Sequence, residues 1–119
     1  MTDQTLGGHT VSDVRDERAV ITLGARLDAL EAQQLRATVD DLLEQGVRRL
    51  LVDLTRTQFI DSAGLASLVR AMTLLTPLSG RVELVRPQSE DAWRVFRLTK
   101  FDEVFTVHDT PPAAGEVGP

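Results

Sequence analysis

The segment Phe59-Ile60-Asp61-Ser62-Ala63-Gly64-Leu65 is where residue types and spacing come nearest to carrying chemistry. A serine follows an aspartate at what reads as a strand-to-helix turn, with a glycine two residues on. A serine nucleophile would need a Gly-x-Ser-x-Gly elbow and a base within hydrogen-bond reach. The glycine before the serine is missing, because that position is Ile60. The only histidines are His9, in a polar leader, and His108, at the end of the last strand, and both read as frayed positions. With no cysteine, thiolate nucleophiles, disulfides and cysteine zinc sites are excluded. There is no Gly-x-x-x-x-Gly-Lys phosphate loop and no Gly-x-Gly-x-x-Gly turn. Dispersed carboxylates and two such histidines give no metal-ligand spacing. Asp40-Asp41 and Glu90-Asp91 are adjacent on helices, where neighbours diverge by about 100°, so each pair reads as a solvated face. Neither catalysis nor a cofactor is expected. Ser62 reads instead as a helix N-cap, and Asp61 as a turn residue that accepts backbone amides. Gly64, inside the first turn, costs about 1 kcal/mol relative to alanine and implies a close approach to the backbone. Either a partner or tight helix–strand packing would account for it.

The elements that would position this turn can be read from hydrophobic period. Val11–Val14 and Ala19–Leu23 form a hairpin around Arg15-Asp16-Glu17-Arg18. Asp28, three residues before Glu31, opens a helix with a capping box. Ala32, Leu35, Val39, Leu42 and Leu43 line its inner face, and Gly46 stops it. The unbroken run Leu50-Leu51-Val52-Asp53-Leu54 suits a central parallel strand. Ser62 opens the second helix, with Leu65, Leu68, Val69, Met72 and Leu75 inward. Arg81–Val85 is a strand, Ser89 caps a third helix that buries Ala92, Trp93, Val95 and Phe96, and Val104–Val107 is the last strand. The order β-β-α-β-α-β-α-β predicts an α/β domain: a small, mostly parallel sheet after the hairpin, helices mainly on one side, and one strand edge exposed.

The chain has 119 residues, enough for one domain with its own core. Residues 1–8 read as a flexible leader, 9–108 as the folded unit, and the proline- and glycine-rich stretch 109–119 as a disordered tail. The net charge of −5, with the 12 arginines scattered, makes nucleic acid a poor partner. No run of about 18 apolar residues is present, so membrane insertion is not expected, and the polar start lacks a signal core. A cytoplasmic protein is the expectation.

Three groups of residues resemble one family. Ile60-Asp61-Ser62-Ala63-Gly64-Leu65 is similar to the signature of STAS domains, the family of bacterial anti-sigma factor antagonists and of the cytoplasmic domains of sulfate transporters. Leu27-Asp28 with Ala32 and Leu35 resembles that family's first-helix start, and Leu51-Val52-Asp53-Leu54 with Phe59 its central strand. The likeness spans 9–108. It departs at Ala25, where the family often has glycine, at Ala66, which often is glycine too, and at Lys100-Phe101, where a Gly-Leu pair is usual. The last two change surfaces near helix ends, and so bear on partner identity more than on fold.

The resemblance implies the STAS fold and the role of an anti-sigma factor antagonist, a phosphorylation-controlled binding module and not an enzyme. Ser62 then matches the serine phosphorylated by an anti-sigma factor serine kinase, with ATP and Mg²⁺ belonging to the kinase. Asp28, Asp61, Ser62, Ala63, Gly64 and Leu65 match the partner-binding positions. The unphosphorylated form binds the kinase and frees a sigma factor, and a phosphatase acting on phospho-Ser62 restores it. A monomer or weak dimer is expected. The other role within the family is that of a STAS adaptor, in a lipid-transport complex or a stress-signalling scaffold.

Overall fold

The computed structural model describes residues 4–6 and 8–112. Among these residues, eight strands and four α-helices run in the order β1 (Gln4–Leu6), β2 (His9–Arg15), β3 (Arg18–Leu23), β4 (Arg26–Leu27), α1 (Ala29–Glu44), β5 (Arg49–Asp53), β6 (Phe59–Ile60), α2 (Ser62–Leu75), β7 (Arg81–Val85), α3 (Glu90–Leu98), α4 (Phe101–Val104) and β8 (Thr106–His108). Six strands form one sheet in the order β1-β2-β3-β5-β7-β8. The pairs β1/β2 and β2/β3 are antiparallel, and β3/β5, β5/β7 and β7/β8 are parallel. The apolar run at Leu50 places β5 in the interior of the parallel part, as its lack of alternation requires.

Asp16 and Glu17, both at positive φ, make the two-residue turn of the β2/β3 hairpin, whose twist suits the flanking strands. Along β3 only Ala19, Ile21 and Leu23 are buried, a period of two that turns one face to the core. Leu50 and Val52 of β5 and Val82 and Leu84 of β7 extend that face. Leu35, Val39 and Leu42 of α1 join it, with Leu65, Leu68, Ala71 and Leu75 of α2 and Ala92 and Phe96 of α3. Trp93 is half-buried, 5.9 Å from Phe96, with the Arg86 guanidinium 4.6 Å over its ring.

The α/β order is as read from the sequence, with three differences. A strand, Gln4–Leu6, precedes the hairpin within the stretch read as a leader; it pairs with β2 through backbone bonds that need no hydrophobic pattern. Residues 1–3, 7 and 113–119 of the expected leader and tail lie outside the described residues. Two short strands, β4 and β6, form a separate parallel ladder. Val104 belongs to a helical turn and not to the last strand. Lys100 takes the left-handed conformation (φ 63°), which ends α3 and starts this extra turn. Phe105, 6.4 Å from Phe101, is then buried just before β8 begins.

Candidate functional site

The ladder of β4 and β6 sets the geometry of the site. Arg26 lies opposite Phe59 and Leu27 opposite Ile60. Leu27 and Ile60 are buried, so Arg26 and Phe59 face outward. Each two-residue strand runs straight into an aspartate and then a helix, which brings the starts of α1 and α2 together. The backbone amide of Asp61 donates to the Leu27 carbonyl at 3.3 Å, and loop bonds from Gln58 and Phe59 to the Ala25 carbonyl brace the ladder from below. The Thr57 hydroxyl, fully buried, donates to the Gly24 carbonyl at 2.9 Å.

Ser62 is not the N-cap. Asp61 holds that position, with extended backbone angles and its carboxylate accepting the Gly64 amide at 2.9 Å. A carboxylate is the stronger acceptor next to the positive end of a helix, so it takes the amide and Ser62 becomes the first helical residue. The Ser62 side chain is exposed, and its hydroxyl makes no hydrogen bond with any described residue. Gly64 is explained by packing within the chain. A Cβ there would lie 2.3 Å from the Leu27 carbonyl oxygen.

Asp28 caps α1 as expected, accepting the Glu31 amide at 3.1 Å. That bond is the main reason its carboxyl titrates below the usual Asp value of 3.8; burial works against it, and neighbouring Arg26 adds to it. The expected capping box is only half formed. The Glu31 carboxylate does not return to the start of its helix. It accepts the Gly8 amide at 3.0 Å and bonds His9 Nδ1, while His9 Nε2 meets the Thr38 hydroxyl at 2.8 Å. His9 is 2% exposed, so it is an internal cross-link between β2 and α1 and not a leader residue. His108 is likewise engaged, with Glu83 at 2.6 Å.

The outer face of the ladder therefore carries Arg26, Asp28, Phe59, Asp61 and Ser62. Arg26 Nε is 3.4 Å from Asp28 Oδ2, and its guanidinium carbon lies 4.3 Å from the centre of the Phe59 ring. Leu30, 67% exposed, stands beside Asp28 at the rim of a shallow depression lined by Gly8, Arg26, Glu31 and Gln34. Of the six expected binding positions, Asp28, Asp61, Ser62 and Ala63 reach solvent, whereas Gly64 and Leu65 are buried and shape the turn from beneath. Arg26 was not singled out in the sequence, and Phe59 only as the start of the turn segment and part of the central-strand likeness, because nothing in two isolated residues signals a strand pair. No cluster of metal-ligating side chains occurs among the described residues. No described helix is long and apolar enough to cross a membrane.

A six-stranded mixed sheet with an Asp-Ser turn opening its second helix defines a STAS domain, and the chain belongs to that family, whose sequence profile matches residues 10–114. Among curated proteins it is similar to BtrV of Bordetella bronchiseptica, named as a candidate anti-sigma factor antagonist: 28% identical over 104 residues, covering 86% of this chain and 87% of that protein. The unphosphorylated form of the anti-sigma factor antagonist SpoIIAA superposes with a TM-score of 0.74 at 26% identity, over 84% of this chain and 87% of the other. The phosphorylated form of the Bacillus cell fate determinant SpoIIAA gives 0.67 at 26% identity, over 84% and 90%.

Proposed function

We propose that this chain is an anti-sigma factor antagonist that binds an anti-sigma factor serine kinase, frees a sigma factor, and is switched off by phosphorylation of Ser62. The observation that carries the proposal is the free hydroxyl of Ser62. Asp61 does the capping, so the serine has no structural task and stands exposed at the surface. The relatives named as antagonists, one of them solved in a phosphorylated form, support the same role.

In the transfer, Ser62 Oγ forms a bond to the γ-phosphorus of ATP, the bond to the bridging oxygen breaks, ADP leaves, and the hydroxyl proton passes to a base of the kinase. The antagonist supplies only the acceptor and has no catalysis of its own. The phosphate adds about −1.5 to −2 charges beside Asp61. A partner packed closely over Ser62 then loses shape fit and charge complementarity, and binding falls by at least about tenfold, or 1.4 kcal/mol. The fold need not change, because a helix start tolerates negative charge, so melting shifts by only a few degrees, roughly. A phosphatase returns the protein to its binding form, and the exchange takes place in the cytoplasm, where ATP is available.

The test is incubation with candidate anti-sigma kinases, ATP and Mg²⁺, followed by mass mapping. Phosphate should appear on Ser62. Ser62→Ala should bind the kinase without accepting phosphate, and Ser62→Asp should bind less well. A Ser62→Ala protein phosphorylated to the same extent as wild type overturns the assignment.

A further inference from the structure

We propose that Arg26 is the internal receptor for a phosphoryl group on Ser62, so that phosphorylation rearranges the surface as well as charging it. The proposal rests on the assignment of Ser62 as the modified residue. The parallel ladder places Arg26 opposite Phe59, and with Leu27 and Ile60 turned inward, Arg26 is the cation brought to the outer face. Asp28 and Asp61 come next after the two strands, and Ser62 follows Asp61 directly. Paired strands lie about 4.8 Å apart, a gap that an arginine side chain spans easily. Arg26 already spans it, with its guanidinium over the Phe59 ring.

Its present anchorage is loose. The one ion pair it makes among the described residues, at 3.4 Å, uses a single nitrogen, and the other partner, Asp28, also accepts the Glu31 amide. The Arg26 side chain is 62% exposed, and pairs of that kind hold weakly. A phosphate offers up to two charges and three oxygens, and the guanidinium fork can engage two of them at once. Next to Asp61, and on the same face of the ladder as Asp28, the phosphate also raises the local demand for a cation. The guanidinium therefore moves from Asp28 to the phosphate. Asp28 loses its counter-charge and the Phe59 ring loses its cover. A partner that fits the Arg26–Phe59 stack meets a different surface after phosphorylation.

The experiment uses the full chain with phosphoserine incorporated at position 62 during translation, so no kinase is needed. Phosphorus NMR titrations at low salt compare the phosphorylated wild type with Arg26→Gln and Arg26→Lys. A bound guanidinium favours the dianion, so the second phosphate pKa, near 6 when unperturbed, should be lower in wild type than in Arg26→Gln by about 0.5 unit or more. Arg26→Lys, which keeps the charge but not the fork, should fall between them. The Arg26 Nε–H resonance should shift between the unphosphorylated and phosphorylated proteins. Coinciding titration curves for wild type and Arg26→Gln overturn the receptor role and leave the proposed function standing. Failure of every candidate kinase to modify Ser62 counts against the proposed function and leaves these curves interpretable.

Discussion

The starts of α1 and α2 are built alike and secured differently. Each follows a two-residue strand of the same ladder, and each is capped by an aspartate that accepts the amide three residues on, from Glu31 and from Gly64. At α1 that third residue has a long side chain, and its buried carboxylate reaches back to Gly8 and His9. At α2 it has none, and the helix backbone closes onto the Leu27 carbonyl instead. One helix start is held by a polar network and the other by the absence of atoms. The network engages Glu31 and Thr38 on the buried side of α1, whereas the close approach at α2 involves no side chain of the first turn, and the Ser62 hydroxyl bonds no described residue. The residue after the α1 cap is Ala29, so of the two equivalent positions only Ser62 carries a hydroxyl, the group that the proposed phosphorylation requires.

Four substitutions or conditions test that contrast, and the largest effect belongs to the tightest contact. Gly64→Ala puts a methyl group against backbone and forces α2 away from β4. We expect a loss of about 3 kcal/mol in urea unfolding, which lowers Tm by roughly 10 °C or more. A loss under about 1 kcal/mol would mean that the two helix starts are not locked. Glu31→Ala removes the acceptor shared by Gly8 and His9 and leaves buried donors unpaired, at about 2–3 kcal/mol. Glu31→Gln, which keeps one acceptor oxygen, should lose less. Third, the Asp28 cap depends on pH. Its folded value lies below 3.8, so its stabilisation is complete above that pH and disappears as pH falls through the folded value. The stability advantage of wild type over Asp28→Asn should shrink between pH 6 and pH 2.5; an advantage that stays constant would refute the assignment. Last and smallest, Ser62→Ala should change stability by less than about 0.5 kcal/mol, because no hydrogen bond is lost. A larger loss would give the hydroxyl a structural role after all.

Much of the fold was legible because long periodic patterns report burial. Ile21 in β3, Val52 in β5 and Leu84 in β7 occupy core positions that alternation or apolar runs announce, and Leu35 and Leu68 do so for the helices. The helix starts at Asp28 and at the Asp61-Ser62 turn were legible through local chemistry and family likeness. The division of labour within that turn was not, since both Asp61 and Ser62 are good caps and the place where helical backbone angles begin is not written in the local sequence. His9 stayed hidden because its burial depends on Glu31 and Thr38, 22 and 29 residues away. The β4/β6 ladder stayed hidden for a related reason: two residues carry no period, and their pairing is fixed by the Thr57 and Gln58 loop bonds to Gly24 and Ala25. Arg26 and Phe59 depend on that ladder, so the part of the face they form emerged only with the tertiary structure.

The ladder also determines how this surface can be imitated. Arg26 and Asp28 come from one stretch of chain, Phe59 and Ser62 from another more than thirty residues on, and a two-residue splice joins them edge to edge. A synthetic peptide copied from either stretch would present half of the face, and neither half has the length to hold its shape alone. Reagents raised or selected against such peptides should recognise the unfolded chain in preference to the native one. A decoy for the proposed partner has to be a small folded scaffold carrying both stretches in register.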